Sequence, residues 1–150
     1  MDAATSGIVG SILGAIFGGL IAFVASIIVL RKQEQYRQRA KLTSEFIELQ
    51  RLLKIRHPNH SIEYRPTYDL LRDNYSRLFT AILFFKQSLS RSKAKKFESK
   101  WHEICSFDLK HQGPTFEDYK VTGSNHEKEI TVRDMALSRI QELLDIAKVR

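Results

Sequence analysis

GIVGSILGAIFGGLIAFVASIIVLRK, residues 7–32, carries no charge before its last two positions and spaces several of its glycines four apart. Such a stretch can be a signal peptide, a buried core helix or a membrane span. Residues 7–30 supply 24 consecutive uncharged, mostly apolar positions, and the hydrocarbon core of a bilayer takes about 20 in a helix. A core helix of a soluble protein keeps a polar face over that length, and none is present. A signal peptide opens on a basic region, has a shorter apolar stretch and closes on a small-residue cleavage site. Here the leading residues are MDAATS, without Lys or Arg, and the run ends in IIVLRK. The segment is expected to be an uncleaved membrane anchor.

Basic residues in the short flanks set orientation. The N-terminal flank has none; the C-terminal flank has Arg31, Lys32, Arg37, Arg39 and Lys41. They predict residues 1–6 outside the cytoplasmic membrane and residues 31–150 in the cytoplasm, and they are placed to touch anionic lipid headgroups. The lone cysteine, Cys105, excludes an intrachain disulfide and fits a reducing compartment.

The glycines fall in two rows. Gly10, Gly14 and Gly18 form GxxxGxxxG, extended by Ala22 and Ser26; Gly7, Ser11, Ala15 and Gly19 form the second. At about 100° per residue the rows are neighbours and cover roughly half of the helix circumference. Val9, Ile12, Leu13, Ile16, Phe17, Leu20, Phe23 and Val24 take the other half. Glycine is common in membrane helices generally, so a single GxxxG carries little. Two adjacent rows let a second backbone approach closely, which drives association in lipid. Gly7, Gly10, Ser11, Gly14, Ala15, Gly18, Gly19 and Ala22 are therefore expected to pack against another helix, from a second copy or from a different membrane protein. No polar stripe runs along the segment, so a pore is not expected.

Mean hydropathy over the whole chain is −0.29, an average of two unlike parts. Residues 31–150 hold all 24 Lys and Arg but only 16 acids, because Asp2 lies outside them, and so carry a net +8. About 120 residues suffice for one modest core, and the positive excess suggests an anionic neighbour. No Gly or Pro occurs between Gly19 and Pro58, which predicts that the anchor helix continues through residues 31–56 as a juxtamembrane stalk. Within it Leu42, Phe46, Leu49 and Leu53 make a helical stripe. HPNHSIEYRP, residues 57–66, breaks the helix.

A second helix is expected from about Thr67, with the stripe Leu71, Tyr75, Leu78, Ile82, Phe85 and Leu89. A third follows in an αα-hairpin with it. Ser90 or Ser92 is placed to cap the third helix, and Ala94, Phe97, Trp101 and Ile104 or Cys105 form its apolar face. Residues 106–130 read as irregular, with a short helical turn near Thr115. Thr131 and Asp134, spaced like a capping box, with Ile130 and Met135 at the hydrophobic-staple positions, predict the start of the last helix. Its stripe is Ala136, Ile140, Leu143 and Ala147. No strand pattern or internal repeat is evident. The expected fold class is all-α: a transmembrane helix over residues 7–30, the stalk, and a helical bundle over residues 57–150.

Chemistry is thinly represented. His57 and His60 are three apart around Pro58, in a predicted loop. His102 and Cys105 are three apart on a predicted helix, with His111 near in sequence, but zinc takes four ligands and there is no second Cys. A Cys105 nucleophile would need a base and an oxyanion hole, and nothing supplies the hole. No Walker-type loop, GxSxG or HExxH is present. Neither an enzyme nor a cofactor or metal is expected, a metal- or Cys105-dependent enzyme being the remote alternative. Besides the cluster at residues 31–41, a second basic group comprises Lys86, Arg91, Lys93, Lys95, Lys96 and Lys100. It is a candidate contact for lipid, an acidic protein or nucleic acid. The last is disfavoured because no nucleic-acid motif accompanies it and because Phe97 and Trp101 sit at core spacing rather than as a stacking platform.

KKFESKWHEIC, followed after a loop by ALSRIQELLDIAKVR, resembles a pattern in uncharacterised bacterial membrane proteins. These have an N-terminal span, a basic-Phe-acidic-x-x-Trp helix and a C-terminal amphipathic helix. The resemblance extends over the organisation of the whole chain. It implies a bacterial inner-membrane protein with a helical cytoplasmic domain, and it carries over no catalytic residue. The expected function is tethering: a single-span anchor, packed laterally on another helix, presents a helical interaction domain to a cytoplasmic protein. The alternative from another class is a membrane-tethered nucleic-acid binder that uses residues 86–100.

Overall fold

The computed structural model describes residues 3–56, 64–108, 113–122 and 126–148, without the side chains of residues 3–13. The element order is α1 (Ala3–Leu53), α2 (Thr67–Gln87), α3 (Arg91–Cys105), β1 (Phe107–Asp108), β2 (Gly113–Pro114), a 3-10 helix (Glu117–Tyr119) and α4 (His126–Ile146). The chain is all-α, with one minimal antiparallel ladder among the described residues, Phe107 opposite Pro114 and Asp108 opposite Gly113. It divides into two compact units, Met1–Glu34 and Gln35–Arg150.

In the first unit α1 has no polar side to hide and no core to bury. Nine large apolar residues between Ile16 and Leu30 are 47–70% exposed. Leaving such side chains in water forgoes about 2 kcal/mol each, more in total than the whole stability of an ordinary domain. The helix is long and apolar enough to cross a membrane. Its one described hydroxyl before Arg31, on Ser26, donates to Ala22 O at 2.8 Å, so that polar group is satisfied within the helix as lipid demands.

The second unit is a bundle of residues 35–53 of α1 with α2, α3 and α4, consecutive helices running antiparallel. Gln35 Nε2 donates to Ser88 O at 2.7 Å and Arg77 Nε pairs with Glu45 Oε2 at 2.8 Å, which aligns α1 with α2. Phe85 meets Phe97 edge-on with centroids 5.3 Å apart, and Lys86 pairs with Glu98, aligning α2 with α3. Lys100 Nζ pairs with Glu142 Oε2 at 2.9 Å, and Arg139 Nη1 donates to Glu103 O at 2.9 Å, aligning α3 with α4. Trp101 is at the centre: Tyr75 stacks on it at 6.0 Å and Phe46 meets it edge-on at 6.4 Å.

The expected stalk is thereby reassigned. Leu42, Phe46, Leu49 and Leu53 are fully buried, and the compact unit begins at Gln35 rather than at residue 57. A stalk would leave that stripe in water, whereas α2, α3 and α4 offer it a core. The last helix also begins earlier than its capping-box signal. Thr131 is inside α4, and its hydroxyl returns to Glu127 O at 3.0 Å, while Asp134 Oδ1 pairs with Arg56 at 2.7 Å. Ser90 is the N-cap position of α3 but makes no side-chain capping bond.

The segment read as irregular folds back on the end of α3. Ser106 turns into the left-handed region at φ 47°, and Cys105 O accepts from Thr115 N at 3.2 Å and from Phe116 N at 3.0 Å. Phe116, also left-handed at φ 53°, tucks its ring against Tyr75. These non-local closures explain the short ladder that no alternation in the sequence announced.

Candidate functional site

Three features compete for the functional centre: the small-residue face of α1, the basic group around the α2–α3 turn, and a polar cluster where α1 ends and α2 begins.

Of the residues expected to pack against another helix, Gly14, Ala15, Gly18, Gly19 and Ala22 are exposed. A methyl group built on Gly14, Gly18 or Gly19 meets nothing within 4 Å. That face is open to a neighbour in this single chain. Gly7, Gly10 and Ser11 lie on α1, but their surroundings fall outside the described residues.

The basic groups are not uniform. Lys86 is paired with Glu98, and Lys100 with both Glu103 and Glu142. The carboxylates of Glu103 and Glu142 hold the Lys100 ammonium above the usual lysine range. Arg91, Lys93, Lys95 and Lys96 are exposed, and among the described residues no acid pairs with them. Arg31, Lys32, Arg37 and Lys41 are exposed and Arg39 half-buried; the Lys41 ammonium sits 5.4 Å over the Phe84 ring. Phe97 and Trp101 are buried, which removes them as a base-stacking platform.

The polar cluster was not foreseen. Arg133 is 1% exposed and Glu129, one turn earlier on α4, is 7% exposed; they pair at 3.3 Å. Arg133 Nη1 donates to Leu52 O at 3.1 Å and its Nη2 to Arg65 O, so a cation closes the carbonyl end of α1. Its guanidinium also lies 4.5 Å over the Tyr64 ring. Glu129 Oε1 accepts from Thr67 N and from Thr67 Oγ1, both at 2.7 Å, so a carboxylate closes the amide end of α2. Each charge sits at the helix end whose dipole favours it. The Glu-x-x-x-Arg spacing was visible, but that spacing marks most exposed helix faces equally.

Beside this pair lies a cavity of about 350 Å³ lined by Pro66, Tyr68, Asp69, Tyr119, Lys120, Val121, Thr122 and Glu129. Its ionisable walls are already engaged. Asp69 pairs with Arg72, Lys120 with Glu117, and Glu129 with Thr67 and Arg133. The cavity is held together by these contacts, which leave little charge to turn toward a substrate.

Cys105 is buried, and burial pushes its thiol well above the usual range, the opposite of what a thiolate nucleophile needs. His102 is exposed and stacks on Phe107 at 4.6 Å. Among the described residues no three His, Cys, Asp or Glu side chains are grouped to hold a metal ion. His57, His60 and His111 lie outside the described residues. No protein-family model, curated protein or solved structure matches the chain.

Proposed function

We propose that the chain is a single-span tethering protein of the bacterial inner membrane, with its helical domain on the cytoplasmic side as an interaction module. The observation that carries this reading is the change of burial along α1. From Ile16 to Leu30 nine large apolar side chains are exposed, and from Leu42 to Leu53 the apolar stripe is fully buried. One helix thus joins a surface suited to lipid to a domain with its own core. Anchoring confines that domain to a thin layer and raises its effective concentration for a partner at the same membrane. The open face of Gly14, Gly18 and Gly19 supports a lateral helix partner, a second copy or another membrane protein. Arg31, Lys32, Arg37, Arg39 and Lys41 against an N-terminal flank without Lys or Arg support a cytoplasmic C-terminus.

The test is a pair of C-terminal fusions to the full chain, one to a reporter active only in the cytoplasm and one to a reporter active only outside. The cytoplasmic reporter is expected to be active in the membrane fraction. Activity of the outside reporter alone would overturn the orientation, and recovery of the protein in the alkaline-carbonate supernatant would overturn the anchor.

A further inference from the structure

The fold brings the second basic group to the start of the domain, although it lies some 60 residues from the anchor in sequence. Gln35 Nε2 holds Ser88 O at 2.7 Å, and Ser88 is in the turn between α2 and α3. Gln35 is five residues beyond Leu30. Chain connectivity alone keeps the two within about 18 Å. Arg91, Lys93, Lys95 and Lys96 occupy the first turns of α3, immediately after this tied turn.

Two further observations concern the same corner. The first turn of α3 contains no acid, and Ser90 makes no capping bond. Cations at that end oppose the helix dipole, so these charges do nothing for the stability of α3. Of the four large apolar side chains exposed among the described residues of the second unit, Tyr36, Leu83 and Phe84 lie within five residues of Gln35 or Ser88. Basic side chains interleaved with exposed aromatic and aliphatic ones suit the headgroup layer of a bilayer.

We propose that the α2–α3 corner, through Arg91, Lys93, Lys95 and Lys96, docks on the anionic headgroups of the membrane that α1 anchors. This rests on the reading of residues 7–30 as the anchor. Docking orients the domain on the bilayer and leaves the opposite end of the bundle, around Arg56 and the start of α4, turned toward the cytoplasm. Each basic residue at an anionic surface strengthens the contact roughly fivefold, so four of them make the docked state responsive to lipid composition.

The experiment uses the full chain in vesicles of phosphatidylcholine alone and of phosphatidylcholine mixed with phosphatidylglycerol. A fluorophore is carried at Ser92→Cys or, at the opposite end of the bundle, at Thr131→Cys, each in a Cys105→Ala background, and spin-labelled headgroups serve as quencher. The expected result is quenching at position 92 that rises several-fold with phosphatidylglycerol, stays low at position 131, and is lost when Arg91, Lys93, Lys95 and Lys96 are all changed to Gln. Trp101 fluorescence verifies that each variant is folded. Equal quenching at position 92 in both lipids, or quenching that survives the fourfold change, overturns the proposal. So does salt-sensitive binding of RNA or an acidic peptide that the fourfold change abolishes without any effect of lipid. Extraction of the chain by alkaline carbonate would overturn the anchor as well, whereas a retained chain that fails the quenching test overturns the docking alone.

Discussion

The two stretches of α1 are the same secondary structure in opposite surroundings. Between Ile16 and Leu30 every face is uncharged and nine large side chains are exposed. Between Gln35 and Leu53 polar residues occupy most of the surface, and four apolar side chains on one stripe are fully buried. Helicity therefore says nothing about which solvent a segment takes. What decides is whether the apolar residues surround the helix, which suits lipid, or are confined to one stripe, which needs partner helices. A second contrast follows. The bundle stretch is stabilised by specific neighbours, so its side chains are not interchangeable. The apolar stretch has no such neighbours among the described residues, and lipid, the solvent it suits, accepts any apolar side chain of similar size.

That contrast can be broken first at a pair of phenylalanines. Phe46→Ala removes a fully buried ring against Trp101 and is expected to lower domain stability by about 3–5 kcal/mol. Phe17→Ala, on the exposed stretch, is expected to leave it within about 0.5 kcal/mol. The chain has a single Trp, and it lies in the core, so Trp101 fluorescence under denaturant reads both variants in the same micelles. Similar losses would show that the two stretches do not differ as described.

Arg133→Ala is expected to come close behind, at about 3–5 kcal/mol, because it leaves Glu129 buried without its cation and frees the carbonyl end of α1. Adding Glu129→Gln should restore part of the loss. A variant as stable as the parent would show that the cluster is not what joins α1 and α2 to α4.

On the small-residue face, Gly14→Leu with Gly18→Leu is expected to weaken association of the apolar stretch by roughly 1–2 kcal/mol, read by energy transfer between labelled chains in vesicles, with Trp101 unchanged. Unaltered association would remove the small-residue face as a packing surface.

The smallest effect is a pH dependence. An unfolded thiol ionises near pH 8.5, whereas burial holds the Cys105 thiol neutral to higher pH. A raised folded value means that its contribution is fully present below about pH 8.5 and is lost as pH climbs toward the folded value. Denaturant midpoints of the parent should fall between pH 9 and 10.5, ~1 unit either side being within the span of thiol titration, and Cys105→Ala should flatten that slope. Ellman's reagent should label the native thiol at least about a hundredfold more slowly than the unfolded one; fast labelling would contradict its burial.

Legibility followed the range of the interaction. The helical stripes predicted core positions because a 3.6-residue period is a local signal: Leu71, Leu78, Ile82, Phe85, Phe97, Trp101, Ala136, Ile140, Leu143 and Ala147 are all buried. Thr67 is the first residue of α2, as expected. The start of α4 misled because Thr131 and Asp134 have capping-box spacing, yet the helix had already begun at His126, and Asp134 was claimed by Arg56. The ladder at Phe107 and Pro114 escaped because two residues per strand carry no alternation.

What the sequence determined by itself was the helical register and how the apolar residues are spread: an uncharged run long enough to cross a membrane and stripes that need a core, since both follow from residues a few positions apart. What only the tertiary structure decided was which distant residues meet. It moved residues 35–53 from stalk to core, placed Glu129 and Arg133 at the ends of two other helices, paired Lys86 and Lys100 with acids, and tied Ser88 to Gln35. Those contacts join residues separated by between 12 and 81 positions in most of these cases, and a charge or a hydroxyl carries no mark of the partner that packing will bring to it.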